Sequence, residues 1–238
     1  MNSLSQLRVK IFADGADKAG MLDMHANPHI KGLTTNPSLM RKAGIADYRC
    51  FARDVLSEIK DKPICFEVLA DDFTEMERQA LEIAGWADNV YVKIPITNTK
   101  RETCRALVER LADRRVKLNV TAVMTLAQVK EILAVLNPAT PSYVSVFAGR
   151  IADTGIDPLP LMREAVELLK VNAKSELVWA SSREIFNIIQ ANDIGCQVIT
   201  VTNDILKKLS LIGYDLNEYS LDTVKMFYDD ARGAGFSL

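Results

Sequence analysis

Eight times along a chain of 238 residues, a short run rich in β-branched residues gives way to a longer segment of helical period. The runs span 9–14, 32–36, 63–69, 90–96, 117–123, 143–149, 176–182 and 196–202. Amphipathic segments such as 47–60, 74–87, 100–114, 125–136 and 158–171 lie between them, and 203–211 and 221–231 read as helices after the last run. Strict alternation implies a parallel sheet, either open with helices on both faces or closed into a barrel. The facing pattern separates the two. Val90, Val92, Ile94 and Ile96 share one face, with Tyr91, Lys93 and Pro95 on the other. Leu118, Val120 and Ala122 likewise oppose Asn119, Thr121 and Val123, and Ile64, Phe66 and Val68 oppose Cys65, Glu67 and Leu69. In the sixth run Val144, Val146 and Ala148 oppose Ser145 and Phe147. Strands of an open doubly wound sheet are apolar on both faces. Here one face is apolar and the other carries isolated polar groups towards its C-terminal half. That predicts an α/β fold, a (β/α)8 TIM barrel with its site at the strand ends. No linker interrupts the chain, so 1–238 reads as one domain with a C-terminal helix at about 220–231. A barrel of this kind takes about 250 residues.

Composition removes several alternatives. With 25% charged residues, a net charge of −2 and no basic run, the chain presents no nucleic-acid or anionic-membrane surface. No stretch is long and apolar enough to span a bilayer, and the first fifteen residues or so lack the apolar core of a signal peptide, so a cytoplasmic protein is expected. Cys50, Cys65, Cys104 and Cys196 form no CxxC pair and read as buried free thiols. His25 and His29 flank Pro28 without patterned carboxylates, which suits a solvated helix end better than a metal site or a catalytic triad.

The inward polar residues are Asp14, Asn36, Glu67, Lys93, Asn119 with Thr121, Ser145, and Ser181 with Arg183; Arg150 follows the sixth run. Buried polar groups cost free energy unless paired, so such a set calls for a reason. Each residue also has a plainer reading. Asp14 suits a turn or helix cap, Asn36 before Pro37 suits a cap, and Thr121 suits any strand. Glu67 and Lys93 could form a structural ion pair, and Arg183 could pair with Glu184 or a surface acid. Lys93 weighs most, because it sits in the middle of VYVKIPI. Desolvation lowers the pKa of an ammonium, and the neutral amine is a nucleophile. Lys93 therefore reads as a neutral Schiff-base lysine, with Asp14 and Glu67 as its proton-transfer partners. That set suffices for aldol chemistry without a metal or other cofactor. Barrels commonly hold phosphate on the loops after strands seven and eight, which would employ Ser181 and Arg183, with Trp179 on the same face and Arg150 helping.

FADGAD, GLTTNPSLM, VKIPIT, LNVTAVMTLAQV, SVFAGRI and ASSRE resemble, in order, the signature segments of the transaldolase family over residues 9–205. The length resembles the short transaldolase and fructose-6-phosphate aldolase branch. The resemblance implies a class I aldolase-like barrel with Lys93 as Schiff-base lysine and Asp14 as the acid/base at the C4 hydroxyl. It implies that Glu67 and Thr121 hold a relay water and that Asn36 and Asn119 hold hydroxyls of a dihydroxyacetone unit. Ser145 and Phe147 would line the pocket, and Arg150, Ser181 and Arg183 would bind phosphate. Glutamate at 67, asparagine at 119 and phenylalanine at 147 resemble transferring members rather than those releasing free dihydroxyacetone. Two segments depart from the family: Ser145-Val146-Phe147 stands for Ser-Pro-Phe, and Ser181-Ser182-Arg183 for Ser-Phe-Arg. Val146 and Ser182 are expected to face outward, so these departures bear on the acceptor sugar more than on the chemistry.

The expected function is transfer of dihydroxyacetone between phosphorylated sugars; the alternatives are a lyase on the same scaffold and a non-catalytic sugar-phosphate-binding barrel. Apolar residues at helical spacing in the tail, Leu221, Val224 and Phe227 with Tyr228, suit either the base of the barrel or a neighbouring subunit. Short family members tend to form pentamers or decamers through this helix, so a homo-oligomer is expected.

Overall fold

The computed structural model describes residues 4–236. Eight parallel strands close into a barrel in chain order: β1 (Lys10–Asp14), β2 (Ile30–Thr34), β3 (Ile64–Glu67), β4 (Val90–Pro95), β5 (Leu118–Val123), β6 (Ser142–Val146), β7 (Ser175–Trp179) and β8 (Val198–Thr202). The closing seam runs from Lys10 opposite Val198 to Asp14 opposite Thr202. Around it lie α1 (Lys18–Ala26), α2 (Pro37–Lys42), α3 (Tyr48–Glu58), α4 (Phe73–Ala84), α5 (Arg105–Asp113), α6 (Leu126–Leu133), α7 (Ala148–Asp153), α8 (Leu159–Leu169), α9 (Phe186–Asp193) and α10 (Asn203–Leu206). The eight-stranded barrel expected from the alternation is the fold. Caps start several helices: Asp17, Asp47, Asp72 and Thr125 each accept a backbone N–H of the first turn.

The core has two parts. Outside the sheet, Val92, Ile94, Val120, Val144 and Leu177 pack beneath helix residues such as Met76, Leu107, Val129 and Met162. Inside, Phe12, Cys65, Tyr143, Val178 and Val198 fill the lower barrel, with Tyr91 and Phe147 against them. The Phe12 and Tyr143 rings meet edge to face at 5.5 Å. Phe12 fits because its β2 neighbour is Gly32, where a Cβ would lie 2.5 Å from the ring. Below this plug, Lys10 pairs with Glu176 at 2.6 Å. The volume above it is left for polar groups.

Several expectations needed correction. The sixth strand ends at Val146, not 149, because residues 148–153 turn directly into α7. In β5 the alternation breaks after Thr121: Ala122 has φ 60°, the register with β6 shifts, and Val123 turns outward while Ala122 faces in. Trp179 packs in the outer core, so it does not share a face with Ser181. Residues 100–104 form a loop before α5, in which the Asn98 side chain accepts the Lys100 and Glu102 amides. Cys50 is exposed, while the other three thiols are buried and all four are free.

The last helix, α11 (Leu216–Gly233), begins before Leu221, where the apolar spacing started, because Asp215 caps it. It buries none of its residues, so it does not close the base of its own barrel; Leu221, Val224, Phe227 and Tyr228 all stand exposed. No described helix is long and apolar enough to cross a membrane.

Gly32→Ala tests the inner plug. Overpacking of a filled core costs about 1–3 kcal/mol. The substitution is expected to lower the thermal unfolding midpoint by several degrees, read by calorimetry; an unchanged midpoint would mean that Phe12 is free to move aside.

Candidate active site

At the C-terminal mouth of the barrel, a cavity of about 490 Å³ is lined by Asp14, Asn36, Glu67, Lys93, Asn119, Thr121, Ser145, Phe147, Arg150 and Ser181. Ten of the eleven residues singled out from the sequence are thus brought together. Arg183 is the one that does not line it.

Lys93 points inward from β4 and is only 7% exposed. Its Nζ lies 3.0 Å from Glu67 Oε2 and donates to the Thr35 carbonyl at 2.9 Å. Register explains the pairing, since Glu67 and Lys93 are direct neighbours across β3 and β4. The sequence pointed to a neutral amine, and here the structure differs. Burial pulls the Lys93 pKa down, but the charges of Glu67 and Asp14 and the Glu67 hydrogen bond outweigh it and hold the pKa above the ordinary lysine value. The resting amine is an ammonium ion. The ion-pair reading of Glu67 and Lys93 holds too, with open space beside the pair.

Asp14 ends β1 and accepts a hydrogen bond from Thr34 Oγ1 at 2.9 Å. Its carboxyl pKa is raised, because burial outweighs the lowering effects of Lys93 and Thr34. On β5, Asn119 is held from two sides: Ser145 Oγ donates to its Oδ1 at 2.7 Å, and its Nδ2 reaches Cys65 Sγ at 3.4 Å. Burial pushes the Cys65 thiol up to about 11, so it stays neutral. Thr121 Oγ1 is buried and makes no hydrogen bond within the described residues. Such an orphan is costly and suits a site that expects a guest. Asn36 does what its place before Pro37 suggested: its Oδ1 accepts the Leu39 amide at 3.0 Å and caps α2 while the residue lines the cavity.

The two arginines differ. Arg150 lies on α7 over the Phe147 ring, 5.7 Å from its centroid, and makes no ion pair among the described residues. Arg183 is turned to Asp153, Nε to Oδ1 at 2.9 Å, and also donates to the Ser181 carbonyl at 2.9 Å. Its partner is a surface acid, though not Glu184. Ser181 reaches the cavity because its φ of 64° breaks the strand alternation. The start of α7 passes so close that a Cβ on Gly149 would stand 1.6 Å from the Ser181 carbonyl oxygen, so only glycine fits there. Thr34, Ala122, Ala180 and Thr200 also line the cavity and were not singled out. Thr34 lies inside the same GLTTNPS segment as Asn36.

The family model described as Transaldolase/Fructose-6-phosphate aldolase matches residues 11–238. The chain belongs to this family. Its relatives include a probable transaldolase of Hyphomonas neptunium (strain ATCC 15444), 33% identical over 97% of this chain and 100% of that one. A probable transaldolase of Thermoanaerobacter sp. (strain X514) is 32% identical over the same shares of the two chains, 97% and 100%. The dihydrodipicolinate synthase of Rhodopseudomonas palustris superposes with a TM-score of 0.57 at 14% identity, covering 93% of this chain and 80% of that one. That likeness is one of fold alone.

Asp14 offers a test through linkage. A carboxyl whose pKa is raised on folding keeps its proton in the native state while the unfolded chain releases it. Stability therefore falls as pH rises from 3.8 through the native value. Asp14→Asn is expected to raise the unfolding midpoint at pH 7, with the gain over wild type vanishing below about pH 3. A variant less stable than wild type at pH 7 would contradict this account of Asp14.

Proposed function

We propose that the chain transfers a dihydroxyacetone unit from a ketose phosphate to an aldose phosphate through a Schiff base on Lys93. The observation that carries this reading is the Lys93 amine on the wall of an open cavity, 3.0 Å from Glu67 and within the field of Asp14. The family assignment and the names of the relatives support it.

Because the amine rests as an ammonium, the first act falls to Glu67, which takes a proton from Nζ as the ketose enters. The free amine adds to the C2 carbonyl, forming the C–N bond of a carbinolamine. Glu67 then returns its proton through a water held against Thr121 Oγ1, and the C2 hydroxyl leaves as water to give the iminium. Asp14, with its raised pKa, takes the C4 hydroxyl proton as the C3–C4 bond breaks and the aldose phosphate departs. The electron pair of that bond rests in the enamine on Lys93. An incoming aldose phosphate reverses the step, with Asp14 giving its proton to the new alkoxide, and water hydrolyses the iminium. Asn119, fixed by Ser145 and Cys65, and Asn36 hold the three-carbon unit. Arg150 and Ser181 receive the phosphate, joined by Arg183 once it exchanges Asp153 for the substrate.

Glu67, Asn119 and Phe147 support transfer over release of free dihydroxyacetone. Glyceraldehyde 3-phosphate formation from fructose 6-phosphate is expected to need erythrose 4-phosphate. Equal rates without it, with free dihydroxyacetone accumulating, would favour the lyase. Borohydride reduction in the presence of fructose 6-phosphate, followed by peptide mass mapping, is expected to place a three-carbon adduct on Lys93. Lys93→Met is expected to lose the adduct and at least about a thousandfold in turnover, as removal of a covalent nucleophile does. An adduct elsewhere, or none, would end this reading.

The exposed apolar residues of α11 support its service as a subunit contact in a homo-oligomer. Removing residues 214–238 is expected to lower the sedimenting mass by whole subunits. A mass reduced only by the deleted segment would count against α11 as the contact.

A further inference from the structure

The backbone beside Glu67 shows what holds that carboxylate in place. In a parallel ladder, alternate residues direct both N–H and C=O to the same neighbouring strand. On β3, Cys65 faces β2, and its carbonyl accepts the Thr35 amide at 3.3 Å. Val68 faces the other way and donates to the Lys93 carbonyl at 3.1 Å. Glu67 should therefore face β2 as Cys65 does, with its N–H on the Thr35 carbonyl. That carbonyl is occupied instead by Lys93 Nζ. Nor does β2 offer an N–H for the Glu67 carbonyl, since the ladder stops at the pair Thr34–Cys65 and Pro37 has none to give. The gap that lets Lys93 reach Thr35 thus orphans both backbone groups of Glu67.

Both are taken by one side chain. Tyr48 Oη, at the start of α3, accepts the Glu67 N–H at 2.8 Å and donates to the Glu67 carbonyl at 3.0 Å. The ring is held edge to face by Trp86 at 5.6 Å and Phe66 at 6.1 Å, so the hydroxyl has little freedom to leave. Burial raises the phenol pKa, which keeps the donor proton in place.

We propose that Tyr48 is a positioning residue whose hydroxyl replaces the missing β2 edge at Glu67 and thereby holds the carboxylate against Lys93 for proton transfer. It acts through Glu67 and lines no part of the substrate cavity. The proposal rests on the Schiff-base reading above.

Tyr48→Phe keeps the ring packing and removes both hydrogen bonds. With fructose 6-phosphate at saturation, trapped adduct on Lys93 is expected to form about tenfold more slowly, the scale of about 1.4 kcal/mol set by one buried hydrogen bond. The donor KM should stay within about twofold, because Tyr48 touches no substrate. A purely structural tyrosine would lower the unfolding midpoint and leave the adduct rate unchanged; that result would overturn the proposal while the wild-type adduct still upheld the reaction. Absence of adduct in the wild-type chain would overturn both. Amide exchange of the wild-type protein gives a reading independent of the variant. The Glu67 N–H is expected to be protected, and exchange at the rate of an open loop would overturn the proposal.

Discussion

An ammonium ion held between carboxylates, inside a closed cylinder of strands, sets the terms for everything around it. Burying such a charge alone would cost several kcal/mol. Lys93 is tolerated because β3 delivers Glu67 beside it, β1 delivers Asp14, and a backbone carbonyl from the end of β2 accepts a third contact. The same arrangement leaves Asp14 with a raised pKa. One amine that must lose a proton, one carboxylate next to it, and one carboxyl whose pKa burial raises form a complete set for carbonyl addition and aldol cleavage.

The rest of the barrel serves that balance. Phe12, Tyr143 and their neighbours plug the lower half, which leaves the cavity at the strand ends to the polar groups of the site. Order at those ends comes from small departures from regular strand geometry. The ladder between β2 and β3 stops early, which frees the Thr35 carbonyl for Lys93 and leaves Glu67 to Tyr48. Positive φ angles at Ala122 and Ser181 turn residues into the cavity that ideal alternation would place otherwise. Asn119 is fixed before any substrate arrives, by Ser145 on one side and Cys65 on the other. A preorganised donor of this kind loses little on binding.

The architecture was legible because the alternation of strand and helix is strict and the strand faces are chemically unequal. The site was legible where a costly residue type sat on an inward position, as with Lys93, Glu67 and Asn119. What escaped were effects of neighbours distant in sequence. Desolvation is visible in VYVKIPI, but the carboxylates that reverse its effect on Lys93 come from other strands, so the amine reads as neutral from the sequence and is charged in the fold. Arg183 looked like a phosphate ligand from its segment, yet Asp153, thirty residues away, holds it. Tyr48 lies on a helix with ordinary amphipathic spacing, and nothing in that spacing announces a hydrogen bond to Glu67. Trp179 and Ala122 were misplaced because period-two counting fails at a bulge or a left-handed residue.

Nitrogen-detected NMR of Lys93 Nζ across a pH titration reads the charge on the resting lysine directly. The ammonium signal is predicted to persist above pH 10.5, the ordinary lysine value, and to titrate lower in Glu67→Gln. A wild-type Lys93 that loses its proton well below that pH would contradict the account, because the carboxylates would then not be offsetting burial.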